Sequence, residues 1–422
     1  MAAAALARRV RSPHSTFSSP RLPLMQIEEP SRLPAQGFAL FALGFRPFYL
    51  LASGFAALSI PLWALQFAGF LPQPYLAGPL WHAHEMVFGF VLAVIVGFLF
   101  TAGSNWSGHP TPKGVPLAVL ALLWLAARVL VMTPYGTAAA IANVAFPVAS
   151  AVALAIPFLQ ARNRRNYFFV GLLALMALAA LCFHLAHLGH LASIRLATAP
   201  AWQGIRVALD VVLFMLAVMG GRVIPMFTNN GISGAKARKL PVLEKIALAA
   251  VLVLLCLDMA GLQGWPVAAV AAVGCAAHAW RLALWQPWKT LRTPLVWVLH
   301  IGYLWIPAHL LLRGLSEAGQ IASSLATHAL TTGAVGGLVI GMMTRTAKGH
   351  TGRRLQADGF DSACYVLVLL AAAVRVVMPL AAPAHSVHAT LASSALWSLG
   401  FGLYAVRYWP VLSRSRLDGR PG

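Results

Sequence analysis

Apolar residues run through the chain in stretches of about 20, broken by short polar clusters, from residue 45 almost to the end. A helix needs roughly 20 apolar residues to cross a bilayer core of about 30 Å. Hydropathy therefore predicts about twelve transmembrane helices. The first six fall near 45–69, 82–105, 115–133, 136–159, 166–191 and 200–228. The second six fall near 240–262, 264–286, 294–313, 323–345, 359–380 and 386–411. The predicted fold is all-α: a polytopic integral membrane bundle over residues 41–412. No internal repeat is visible by eye.

The polar clusters then orient the bundle. Lys113, Arg162, Arg164, Arg165, Lys236, Arg238, Lys239, Lys289, Arg292, Lys348, Arg353, Arg354, Arg414, Arg416 and Arg420 fall on one side, with the N-terminal arginines. The opposite loops, near 70–81, 132–137, 260–265 and 380–385, carry no Lys or Arg, and only Arg195 and Arg313 lie clearly there. An even number of spans with both termini cytoplasmic satisfies the positive-inside rule. Residues 1–40, with Arg8, Arg9, Arg11 and Arg21, lack the apolar core of a secretory signal. They read as a disordered cytoplasmic tail, although a transit peptide would share the composition. Residues 413–422 read as a short cytoplasmic tail.

Composition agrees. At 59% hydrophobic and 10% charged, against about 25% charged in soluble domains, the chain is no water-soluble enzyme. A net charge of +21 at first suggests a nucleic-acid binder, but the basic residues come in loop clusters rather than on one continuous face. The four cysteines lie inside apolar runs without a CxxC pair, which supports neither a disulfide framework nor a zinc knuckle.

Histidines carry the candidate chemistry. Nine of the fourteen (His82, His84, His184, His187, His190, His309, His328, His385 and His388) fall in one outer layer contributed by five helices. His278 and His300 lie deeper. Imidazole is neutral near pH 7 and is the commonest metal and haem ligand, so the layer points to a metal or haem site in the outer half. Within span 2, His82 and Glu85 at i, i+3 share a helical face, which places Glu85 where it orients His82, while His84 looks toward a different neighbour. Glu85, Gly89, Ala93, Gly97 and Thr101 form a small-residue stripe suited to close helix packing. Span 10 carries the row Ala329, Gly333, Gly337, Gly341 and Arg345, with His328 about 100° off it. In span 9, His300 and Tyr303 share a face. In span 6, Arg206 and Asp210 at i, i+4 read as a buried ion pair, and Arg222 has no acid nearby in its own helix. Met215, Met219, Met342 and Met343 read as core or lipid-facing residues.

Several stretches, in order, resemble the NnrS family of bacterial membrane proteins over about residues 36–412. They are FALFALGFRPF (Phe38 to Phe48), WHAHEMVFG (Trp81 to Gly89), GGRVIPMFT (Gly220 to Thr228), LHIGYLWIP (Leu299 to Pro307) and HALTTGAVGGLVIGMMTRTAKGHTGR (His328 to Arg353). The resemblance implies a twelve-span inner-membrane protein with non-covalent, b-type haem and copper, linked to nitric oxide metabolism, denitrification and nitrosative-stress resistance. His82, His84 and Glu85 match its HxHE element; His300, His328 and His350 match its later histidines; Arg46 and Arg222 match its arginine motifs. His350 falls in the cytoplasmic loop following span 10.

The resulting assignment takes Glu85, Tyr303 and Arg222 as catalytic candidates. His82, His84, His300, His328 and Arg46 are cofactor-binding candidates, and His82, His84, His184, His187, His309 and His328 are metal ligands. Glu85, Asp210 and Tyr303 are the buried proton carriers. The partners are the lipid bilayer, nitric oxide or a derived small molecule, and a quinol or protein electron donor, with no nucleic acid. Two other classes stay open: a transporter of a small anion or metal complex, and a membrane nitric oxide sensor.

Overall fold

The computed structural model describes residues 37–67, 69–70, 75–191 and 200–419. The stretch 1–36, Arg195 and Arg420 lie outside the described residues. Each predicted span has its helix: α1 (Phe45–Phe67), α2 (Gly78–Ser107), α3 (Val115–Leu130), α4 (Gly136–Gln160), α5 (Tyr167–His187), α6 (Pro200–Gly231), α7 (Pro241–Met259), α8 (Trp265–Leu284), α9 (Pro294–Glu317), α10 (Ser323–His350), α11 (Gly359–Ala381) and α12 (Ser386–Ser413). Ten of these are long and apolar enough to cross a membrane. The other two are α3, with 16 residues, and α7, with 19 residues that include Glu244, Lys245 and Asp258.

Local chemistry sets the helix limits. Proline stands in the first turn of α3, α7, α8 and α9, where its fixed φ suits a helix start and its missing N–H has no partner to lose. Gly108 ends α2 at φ 70°, a left-handed conformation that a side chain would strain. Asp358 caps α11: its Oδ1 accepts from the Asp361 N–H at 2.9 Å, and Asp361 Oδ2 accepts from the Asp358 N–H at 3.1 Å. That backbone donor holds the Asp358 carboxyl below the usual carboxylate range.

The two central helices are irregular. In α2 a π-helical segment, Glu85–Val91, follows an opening turn that ends at His84. In α10 the π segment Ala329–Val335 follows a turn that ends at His328. Hydropathy periodicity gives no sign of either. These two helices are also the most enclosed, with 78% of their apolar windows buried, against 67% in α6 and α9 and 33% in α11 and α12. The outer helices turn large apolar side chains such as Ile141, Val152, Val242, Val377 and Val406 outward, as a surface facing lipid requires.

The glycine row of α10 faces α9. A Cβ on Gly337 would lie 2.8 Å from Gly302 Cα, and one on Gly302 would lie 2.7 Å from Leu338 N, so the two backbones touch. Gly302→Val should therefore lower stability by about 3 kcal/mol or more, because backbone cannot give way as a flexible side chain would. Thermal unfolding in detergent would show this, with Gly171→Val, which meets open space, as the neutral control.

Candidate functional site

At the histidine-rich end, α2 presents its two histidines to opposite neighbours. His84 is fully buried and turns toward α5, where its Nε2 lies 3.2 Å from Nε2 of His184. His84 Nδ1 donates to Glu85 Oε1 at 2.7 Å, leaving its Nε2 as a lone pair. His184 Nδ1 meets the Tyr75 hydroxyl at 3.1 Å. Burial pushes that hydroxyl up to about 12, so it stays protonated near neutrality. A hydroxyl both donates and accepts, so Tyr75 serves either tautomer of His184. Phe88 and Phe183 pack against the His84 ring and close the site to water.

Glu85 is held in turn. Its Oε1 also accepts from Arg128 Nη1 of α3 at 2.8 Å, and Arg128 Nη2 donates to Asn143 of α4. Gly89 makes room for this guanidinium: a Cβ there would lie 2.6 Å from Nη1. Glu85 Oε2 is buried without a donor. The expectation that Glu85 orients His82 is corrected. The turn from His82 to Glu85 is α-helical, with the Glu85 N–H on the Trp81 carbonyl, but the buried carboxylate turns to the donors within its reach, His84 Nδ1 and the Arg128 guanidinium.

His82 faces the other way. Its ring packs on Trp63 at 5.5 Å, and its Nδ1 is buried without a partner. His328 of α10 and the half-buried Arg375 of α11 lie within electrostatic reach of it. His328 Nδ1 donates to the Ser324 carbonyl at 2.7 Å, which again leaves Nε2 as a lone pair. Among the described residues no carboxylate pairs with Arg375. The structure thus brings His84 and His184 into contact on one side of α2 and leaves His82 and His328 within electrostatic reach of each other on the other side. No group of three or more His, Cys, Asp or Glu side chains is arranged to hold a metal ion among the described residues.

His187 borders the first pair without joining it: it is exposed, its ring lies 4.9 Å from that of Tyr75, and its Nε2 meets the Tyr75 carbonyl at 2.9 Å. The remaining predicted residues lie elsewhere. His309 bonds the Ala326 carbonyl at 2.8 Å, apart from both pairs. His300 and Tyr303 enter different networks toward the basic end. His300 Nε2 donates to Thr228 Oγ1 at 2.8 Å. The Tyr303 hydroxyl donates to His278 Nδ1 at 2.6 Å and accepts from Arg281 at 2.8 Å, while Arg281 pairs with Glu244. Arg222 bonds Asn166 at 3.0 Å and lies over the rings of Trp106, Phe168 and Phe169. Arg46 caps the C-terminus of α12, donating to the carbonyls of Leu412 and Arg414. His350 is the last residue of α10, packed on Phe45, rather than part of a loop.

The pairing of Arg206 with Asp210 is also corrected. Asp210 bonds Arg313 of α9 at 2.9 Å, and Arg206 lies 3.6 Å from Asp258 of α7. An acid following its base at i, i+4 is the poorer helical orientation, and Arg313 offers a fork that engages both aspartates. Sequence reasoning missed Tyr75, Arg128, Asn143 and Arg375. For the two arginines a signal was there: each is a charge inside an apolar run, the criterion already applied to the histidines.

A profile of the family described as NnrS protein matches residues 39–416. The chain belongs to the NnrS family. Comparison with curated proteins finds no match. In this NnrS-family chain the WHAHEMVFG stretch supplies both histidine faces and the π segment of α2. The glycines of GGRVIPMFT are explained by packing: a Cβ on Gly220 would lie 2.8 Å from the Tyr303 ring, and one on Gly221 would collide with Arg281 Nη2. The chain is a multi-pass membrane protein.

Proposed function

We propose that the chain is a haem- and copper-binding protein of the bacterial inner membrane that binds or processes nitric oxide or a derived species at its histidine-rich end. The observation that carries this reading is the 3.2 Å approach of the His84 and His184 Nε2 atoms. At that separation both nitrogens can reach one metal ion at the usual metal–nitrogen distance of about 2.0–2.1 Å. The donor set is imidazole backed by carboxylate and phenol, which suits copper. The pair His82 and His328 would hold haem, and the unpaired Arg375 guanidinium suits a propionate.

When bound, the two groups supply redox-active metal centres open to a small neutral ligand. The protein's own part is positional. Arg128 and Asn143 fix Glu85, Glu85 fixes the His84 ring, and Tyr75 fixes His184. Phe88 and Phe183 exclude water, while a neutral diatomic ligand needs no polar path through the membrane.

The test is an optical spectrum of detergent-purified protein from haem-replete cells, oxidised and reduced, with and without nitric oxide, alongside metal analysis. A Soret band that shifts with nitric oxide is expected in the wild type. It should be lost in His328→Ala and weakened in Arg375→Gln. Colourless, metal-free wild-type protein would sink the reading.

A further inference from the structure

At the same end, α6, α7, α9 and α10 surround a second group of buried polar residues that the metal reading does not use. Arg206, Asp210, His309, Arg313, Glu317 and Thr327 border a cavity of about 70 Å³. His309 is 5% exposed. Its Nδ1 donates to the Ala326 carbonyl, so its Nε2 is an acceptor, and that atom is buried with no donor. Asp210 Oδ2 and Asp258 Oδ1 are likewise buried without a donor.

The two carboxyl groups meet on the one Arg313 guanidinium, each with its second oxygen left without a donor. Two bare carboxylates bring only lone pairs and like charge to that meeting, which favours a proton between them. Charge counting points the same way. In the buried core two carboxylates, Asp210 of α6 and Asp258 of α7, share the one guanidinium of Arg313 from α9; Arg206 of α6, 30% exposed, stands 3.6 Å from Asp258, and the half-buried Glu317 of α9 accepts from the Gly264 N–H at 2.8 Å instead. The adjoining turn of α10 brings the Thr327 and Ser323 hydroxyls. The fully buried part, two carboxylates on one guanidinium, is therefore one positive charge short, offset only by the partly exposed Arg206, and burial makes that imbalance costly.

We propose that this cluster is a one-cation site whose occupant is a proton, held between Asp210 and Asp258 and exchanged through the cavity by way of His309 Nε2. A proton leaving the carboxyl pair converts the imidazole to imidazolium with its Nδ1–H bond to Ala326 kept, and the return step restores both. Arg313 bridges the aspartates, donating from Nη1 to Asp210 at 2.9 Å and from Nη2 to Asp258, and so holds them together in either state. The site stands apart from the histidine pairs, and either reading can fail without the other.

Infrared difference spectroscopy of the full chain in liposomes, titrated in H2O and D2O, tests this. The wild type should show a protonated-carboxyl band that shifts in D2O and disappears in Asp210→Asn and Asp258→Asn. His309→Gln should keep the band and slow its hydrogen–deuterium exchange by about 100-fold, the low end for a positioned proton-transfer group. Sodium against choline chloride at one pH separates the two monocations. A band lost on adding sodium means that a metal ion competes for the same single charge, which supports the site. A wild-type protein with neither a carboxyl band nor a sodium response overturns the proposal without recourse to any variant. So does a band that survives both asparagine substitutions, and unchanged exchange in His309→Gln removes the relay through His309.

Discussion

Replacing His84 or His184 with alanine is expected to strip copper from the purified protein while leaving the haem absorption in place. The two imidazoles meet at 3.2 Å, so removing either leaves a single nitrogen. Affinity should fall by roughly 100-fold or more, since even loss of a supporting partner costs about 10–100-fold. Glu85→Gln and Tyr75→Phe touch only those supports and should show that smaller loss. The haem band serves as the internal control, because His82 and His328 face the other side of α2. The metal-free hydrogen bonding adds a second readout. His84 Nε2 is a lone pair, so the contact is made by an N–H from His184 Nε2; a metal ion there moves that proton to His184 Nδ1, where the Tyr75 hydroxyl accepts it. Copper titration in weak buffer near pH 7 should therefore release no proton, and release of one proton per ion would show that the metal-free pair holds an extra one. Metal analysis after dialysis against a chelator would decide it: copper retained at wild-type stoichiometry in both alanine variants would rule out this pair.

Depth was legible in the sequence, and partnership was not. Apolar run length alone predicted all twelve helices, because a bilayer fixes how long each must be. The histidine layer followed from counting residues along those runs. Who faces whom depends on which donors and charges the neighbouring helices bring within reach, and spacing along one helix does not show that. Glu85 is the plain case: the α register gave it to His82, and the structure gives it to His84. Asp210 is the complementary case. Its partner Arg313 lies 103 residues away, and local spacing favoured Arg206 only because no tertiary information competed. The separation of His82 from His84, by contrast, was readable, since residues at i, i+2 diverge on any helix. Glycine rows were legible as packing faces, although not as the space that Arg128 and Arg281 need beside Gly89 and Gly221.

Arg128→Ala should be among the most destabilising single changes in the chain, costing about 3–5 kcal/mol. Its side chain is 5% exposed and that of Glu85 is 0% exposed, so truncation leaves a carboxylate with no counter-charge away from water. Asn143 Oδ1 loses its donor in the same step. Lysine is not a conservative replacement, because one ammonium cannot reproduce a fork that engages Glu85 and Asn143 together, and Arg128→Lys should fall between alanine and wild type. Gly89→Val ought to weaken the pair without removing either charge, since its Cβ would lie 2.6 Å from Nη1 and force the guanidinium aside. Removing both charges at once separates electrostatics from packing. Glu85→Gln with Arg128→Met buries no net charge, so it should recover most of the stability lost in Arg128→Ala, but not the copper affinity that depends on a carboxylate behind His84. Thermal unfolding in detergent and copper titration on the same four proteins would give both readouts. A loss below about 1 kcal/mol in Arg128→Ala would mean that water reaches the pair, as it does in exposed salt bridges, and that Glu85 does not need Arg128 to hold His84 in place.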